Sequence, residues 1–72
     1  MIPIEEIKVG GSYAMRAGMV NIRVLEIQPV DDDLTWVTLE NISGKRIGAK
    51  RRETLAYMRL TITRSLPNGE RS

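Results

Sequence analysis

The chain contains neither cysteine nor histidine. That alone excludes a disulfide framework, a zinc site built on Cys or His, and every catalytic triad that needs an imidazole or a thiolate. Aromatics are almost as scarce. Tyr13, Trp36 and Tyr57 are the full set, and phenylalanine is missing. No unbroken apolar run approaches the roughly 18 residues that a membrane-spanning helix requires. The opening residues MIPIEEIKVGG place Glu5 and Glu6 ahead of Lys8 and lack the basic-then-apolar pattern of a secretory signal. Small secreted domains usually lean on disulfides, so a cytoplasmic protein with no membrane contact is expected. Asn41-Ile42-Ser43 spells a glycosylation acceptor, read as a chance match in a turn.

What is present is 72 residues, one small domain's worth. Chains near this size bury only about 60% of their unfolded surface, so the core is thin. Net charge is +2, but its distribution is uneven. Residues 1–40 hold three basic and seven acidic side chains, a balance of −4, whereas residues 41–72 hold eight and two, a balance of +6. Such an asymmetry within one domain points to a polar partner.

Turn chemistry divides the chain into short segments. Gly10-Gly11 opens a first strand, 12–17, in which Tyr13 and Met15 alternate with Ser12, Ala14 and Arg16 until Gly18 closes it. In 19-MVNIRVLEIQPV-30, Val20, Ile22 and Val24 share one face. The phase then slips, so that Leu25 and Ile27 hold the apolar positions; a β-bulge or bend near Val24-Leu25 accounts for the slip. Pro29 with Asp31, Asp32 and Asp33 forms a turn. A third strand, 34–42, points Val37 and Leu39 inward and Trp36, Thr38 and Glu40 outward. Ser43-Gly44 signals a tight turn into a fourth strand, 45–51, with Ile47 and Ala49 inward and Arg46, Gly48 and Lys50 outward. Residues 52–58 switch to helical spacing, Leu55 and Met58 being three apart, and predict one or two helical turns. The last strand, 58–64, alternates Met58, Leu60 and Ile62 with Arg59, Thr61 and Thr63. Residues 1–64 make a single domain on this reading, and 65–72, with Pro67, Asn68 and Gly69, a loose C-terminal tail.

Five short strands with a helical turn before the last resemble the SH3-like barrel group, which includes SH3, Tudor and KOW domains and the C-terminal domains of retroviral-type integrases. The likeness covers residues 7–64. It rests on 7-IKVGGSYAM-15, similar to the hydrophobic-x-x-G-x-x-Y opening of many such barrels, on the long bent second strand, and on 53-ETLAYM-58 ahead of the last. The resemblance implies an all-β fold, a small five-stranded SH3-like barrel. The KOW motif, the Tudor aromatic cage and the paired aromatics of peptide-binding SH3 domains are not in the sequence, so it implies an architecture and not an activity.

The stretch 44-GKRIGAKRRETLAYM-58 carries the densest positive charge. On the strand reading, Arg46, Lys50 and Arg52 lie on one outer face, Lys45 and Arg51 near the strand ends, and Arg59 and Arg64 join from the fifth strand if it lies beside the fourth. Such a patch attracts phosphate through counterion release, and Gly48 lets a backbone approach closely. An acidic protein surface is the competing partner, and protection of an exposed strand edge the bland alternative. An outward Trp36 is suited to stacking on bases or anchoring a protein interface, or else it covers the end of the barrel. Tyr13 and Tyr57 read as core or rim packing. The three aspartates lack the alternating spacing of a calcium loop, so no metal and no cofactor is expected. With no nucleophile–base pair, no phosphate loop and no carboxylates at acid–base spacing, catalysis is not expected either.

The leading expectation is a small non-enzymatic module that contacts nucleic-acid phosphates through Arg46, Lys50, Arg51, Arg52 and Arg59, with Trp36 stacking. The alternative is a protein-interaction module, an adaptor or a small inhibitor of phage or mobile-element type. It would dock its basic face on an acidic partner, with Trp36 and Met19 or Met58 at the apolar centre. The opposite charges of the two halves also allow homo-oligomerisation.

Overall fold

The computed structural model describes residues 2–15 and 20–66. A 3₁₀ turn at Ile4–Glu6 leads into strands β1 (Ser12–Met15), β2 (Val20–Pro29), β3 (Thr35–Asn41) and β4 (Lys50–Thr54), then helix α1 (Leu55–Thr61) and strand β5 (Ile62–Ser65). The strands form one antiparallel sheet in the order β4-β3-β2-β1-β5. β4 and β5 are its two edges and do not pair with each other, and α1 spans the step between them. No helix among the described residues is long and apolar enough to cross a membrane.

Alternation along the strands builds the core. Met15, Ile22, Val24, Val37, Leu39, Met58 and Ile62 are fully buried. The β2–β3 register shifts between Val24 and Glu26, which leaves Leu25 as the extra residue. The bulge restores phase, so Ile27 packs against the core after it. The slip in the apolar pattern at Val24-Leu25 therefore has the physical cause that the sequence suggests.

The 7–15 pattern also has a structural reason. Gly10 turns the chain at φ 86°, where a side chain is disfavoured. A Cβ on Gly11 would overlap the Tyr13 hydroxyl. The Tyr13 ring is buried, and its hydroxyl donates to the Glu6 carbonyl at 2.6 Å while accepting from the Lys8 N–H at 2.8 Å. One phenol thus ties the N-terminal turn to the sheet. Tyr13→Phe keeps the ring but strands both backbone groups. The expected cost is about 1–3 kcal/mol, read as a lower urea midpoint at unchanged slope.

Two expected strands differ. The fourth runs Lys50–Thr54, not 45–51. Gly44 and Gly48 both sit at positive φ, 87° and 90°, which extended strand residues do not adopt, so residues 42–49 form a loop. Ile47 accordingly does not face the core but is 69% exposed. The last strand begins at Ile62, not Met58, and continues to Ser65, while Leu66 N–H still donates to the Ser12 carbonyl. The helix starts at Leu55, where Thr54 caps it by accepting from Tyr57 N–H at 3.1 Å, and runs through Thr61, with Ile62 N–H donating to the Met58 carbonyl. Helical spacing then turns Met58 inward and leaves Leu60 67% exposed, where strand alternation would bury both. Arg16, Ala17, Gly18 and Met19, and residues 67–72 of the expected 65–72 tail, lie outside the described residues, while Ser65 of that tail belongs to β5.

Candidate nucleic-acid interface

The β3–β4 hairpin carries most of the basic run, and its neck is closed by hydrogen bonds. Asn41 N–H donates to the Ala49 carbonyl at 2.9 Å, and Gly48 N–H donates to the Asn41 carbonyl at 2.8 Å. The neck is also fastened to β2. Ile42 N–H donates to the Asn21 carbonyl at 2.8 Å, and Asn21 N–H donates to Ser43 Oγ at 2.9 Å. Past this fastening, residues 44–50 are all exposed. Lys45 and Arg46 stand on the loop rather than on a strand, and Lys50 begins β4.

On the outer face of the sheet, register pairing defines three rows running from β2 through β3 to β4. They are Arg23–Glu40–Lys50, Glu26–Thr38–Arg52 and Gln28–Trp36–Thr54. Trp36 is half-buried and outward, opposite in phase to the buried Val37 and Leu39. The Arg52 guanidinium lies 5.0 Å from the Trp36 ring centroid, within cation–π range. Trp36, Lys50 and Arg52 therefore do share one face. That face is mixed in charge, because Glu26 and Glu40 stand among the cations.

The remaining cations go elsewhere. Arg51 pairs in register with Leu39, so it points to the inner side of the sheet. There its Nη1 donates to Asn41 Oδ1 at 2.9 Å and its Nε to Glu53 Oε2 at 3.3 Å. Arg59 is on the outer side of α1, in a cleft of about 160 Å³ shared with Ile4, Asp32, Asp33 and Ala56. Carboxylates at that position repel phosphate. Arg64 lies on β5, opposite Ala14 and at the other edge of the sheet from β4. Met58 is fully buried and does not belong to any surface centre.

Four cations are left on one hairpin: Lys45, Arg46, Lys50 and Arg52. All are exposed. The sole ion pair within 4.0 Å among the described residues is Arg51–Glu53, so none of the four is neutralised by contact. Lys45 and Ile47 enter the site although the sequence pattern assigned the first to a strand end and the second to the core. The flanking Gly44 and Gly48 were the available signal, since two glycines around three residues punctuate a loop. β4 is also an edge strand, and its run of charge guards against pairing with other chains. Among the described residues no group of three acidic side chains is close enough to hold a metal ion. No family model, no curated protein and no solved structure matches this chain.

Proposed function

We propose that this chain is a small, non-enzymatic binding domain whose β3–β4 hairpin holds nucleic-acid phosphates. The observation that carries the reading is the group of four exposed cations without a carboxylate in contact, Lys45, Arg46, Lys50 and Arg52. Their affinity is electrostatic and tolerant of sequence, because phosphate contacts position a protein without reading bases. The strand order and the helix before the last strand support an SH3-like architecture in its open form. Clefts of about 260 and 160 Å³ among the described residues fall below the usual size of a small-molecule site, in keeping with a surface binder.

The test is fluorescence anisotropy with labelled duplex DNA, single-stranded DNA and RNA of roughly 20 nucleotides at about 50 mM salt. Binding by the wild type and its loss in Arg46→Ala/Lys50→Ala/Arg52→Ala is the expected result. An absence of binding at this salt overturns the reading.

A second reading has its own observation. The Arg52–Trp36 stack sits on a sheet face with Arg23, Glu26, Glu40 and Lys50, an arrangement that suits an acidic protein partner with some basic groups of its own. The two readings separate by position. Lys45→Ala/Arg46→Ala alters the loop alone, whereas Trp36→Ala alters the sheet face alone. Loss of binding to nucleic acid in the first variant and its retention in the second favours the hairpin.

A further inference from the structure

Ile47 is the most exposed large apolar side chain among the described residues, at 69%. Scattered exposed apolar residues are ordinary on protein surfaces. Three features set this one apart. It stands in the solvent-exposed loop of a hairpin, between Arg46 and Gly48. Its neighbours Lys45, Arg46 and Lys50 are exposed cations that no carboxylate contacts. The neck beneath it is fixed by four hydrogen bonds, two across the hairpin and two to Asn21 of β2. An apolar group mounted on a fixed base and surrounded by positive charge is suited to a target that presents phosphates outside and an apolar stack within.

We propose that Ile47 is a wedge that enters the minor groove of duplex DNA and partly unstacks one base step. Lys45 and Arg46 hold the phosphates on either side. The inference rests on the nucleic-acid reading above and goes further, since it names duplex DNA as the ligand and deformation as the result. Isoleucine is among the side chains that fill this role in DNA-bending proteins. The minor groove is only about 6 Å wide and admits a slim tip but no helix. Gly44 and Gly48 carry no side chains and keep the shoulders of the loop narrow. A-form RNA offers a wide, shallow minor groove and cannot clamp such a tip. Pyrimidine–purine steps unstack most easily, so a TA step is the preferred point of entry. Trp36 cannot take this part, because it lies half-buried within a strand of the sheet with Arg52 above it.

The experiment uses a duplex of roughly 20 base pairs with 2-aminopurine at a central TA step and a donor–acceptor pair on its ends. Wild-type protein is expected to raise the 2-aminopurine fluorescence and shorten the end-to-end distance. Ile47→Ala is expected to bind with an unchanged salt slope but to lose both signals, and Ile47→Leu to keep them. Ile47 is exposed, so its replacement does not threaten the fold. Binding without either signal, or signals that persist in Ile47→Ala, overturns the wedge and leaves the phosphate contacts standing. No binding of any duplex at about 50 mM salt overturns the wedge, and the nucleic-acid reading falls with it only when single-stranded DNA and RNA also fail to bind.

Discussion

Raising salt from about 50 to about 200 mM weakens association with duplex DNA roughly 150-fold. The figure follows from the four free cations of the hairpin. Each phosphate neutralised contributes about 0.9 to the slope of log K against log salt, so four contribute about 3.6, and a fourfold rise in salt is raised to that power. The five cations favoured by the sequence pattern, Arg46, Lys50, Arg51, Arg52 and Arg59, would give roughly 500-fold instead. Single variants separate the two sets more sharply than the total does. Lys45→Ala lowers the slope by about 0.9, while Arg59→Ala leaves it in place, because Arg59 faces Asp32 and Asp33 across a cleft. Anisotropy titrations at four or five salt concentrations give each slope. A drop on removing Arg59 equal to that on removing Lys45 would contradict the interface.

Leu39→Ala is expected to remove about 2–5 kcal/mol of stability. Leu39 is fully buried at the centre of β3, paired with Val24 on one side and Arg51 on the other. Domains carry roughly 0.05–0.15 kcal/mol per residue, so the whole molecule holds on the order of 4–10 kcal/mol. One such cavity therefore takes about a fifth of the total or more, and the larger costs leave the variant partly unfolded. The matched control is Leu60→Ala. Leu60 points to solvent from α1, so this change is expected within about 0.5 kcal/mol of the wild type. Urea melts followed by circular dichroism measure both. A Leu60→Ala loss as large as that of Leu39→Ala would mean that residues 58–61 form an inward-facing strand instead of the end of a helix.

These two leucines also show where the sequence was legible and where it was not. Around Leu39 the pattern is unambiguous. Val37 and Leu39 alternate with Trp36, Thr38 and Glu40, one face is buried, and slipping the register by one residue would put every apolar group in water. The Val24-Leu25 slip is readable for the same reason. Around β4 that constraint is missing. Lys50–Thr54 has no apolar side chain on either face, so nothing in its composition fixes where pairing with β3 begins. The register is set elsewhere, by two glycines at positive φ and by the reach of Arg51 to Asn41. The second is a contact between residues ten apart, and no local period reports it. In 58–64 both periods place Met58 and Ile62 inward, and only Leu60 discriminates between them. Thr54 starts the helix by capping it, a side-chain contact that the apolar pattern does not report. The candidate interface inherits this difficulty, since each register error moved one cation: Lys45 into the group, Arg51 out of it.

The seating of β5 against β1 carries a consequence for how the molecule is made. Ala14 meets Arg64, fifty positions away along the chain, whereas β2, β3 and β4 are joined to their neighbours by local hairpins. On the ribosome, where residues emerge at about 5–20 per second, the meander can assemble as it appears, but β1 waits with a bare edge until Ile62–Ser65 arrives. Until then Met15, whose partner across the sheet is Ile62, lacks part of its cover. Any nascent chain stalled before that point presents an open strand beside exposed apolar surface, the combination most prone to misassembly with its neighbours. The sheet is thus sealed only when β5, the last of its strands in chain order, reaches β1.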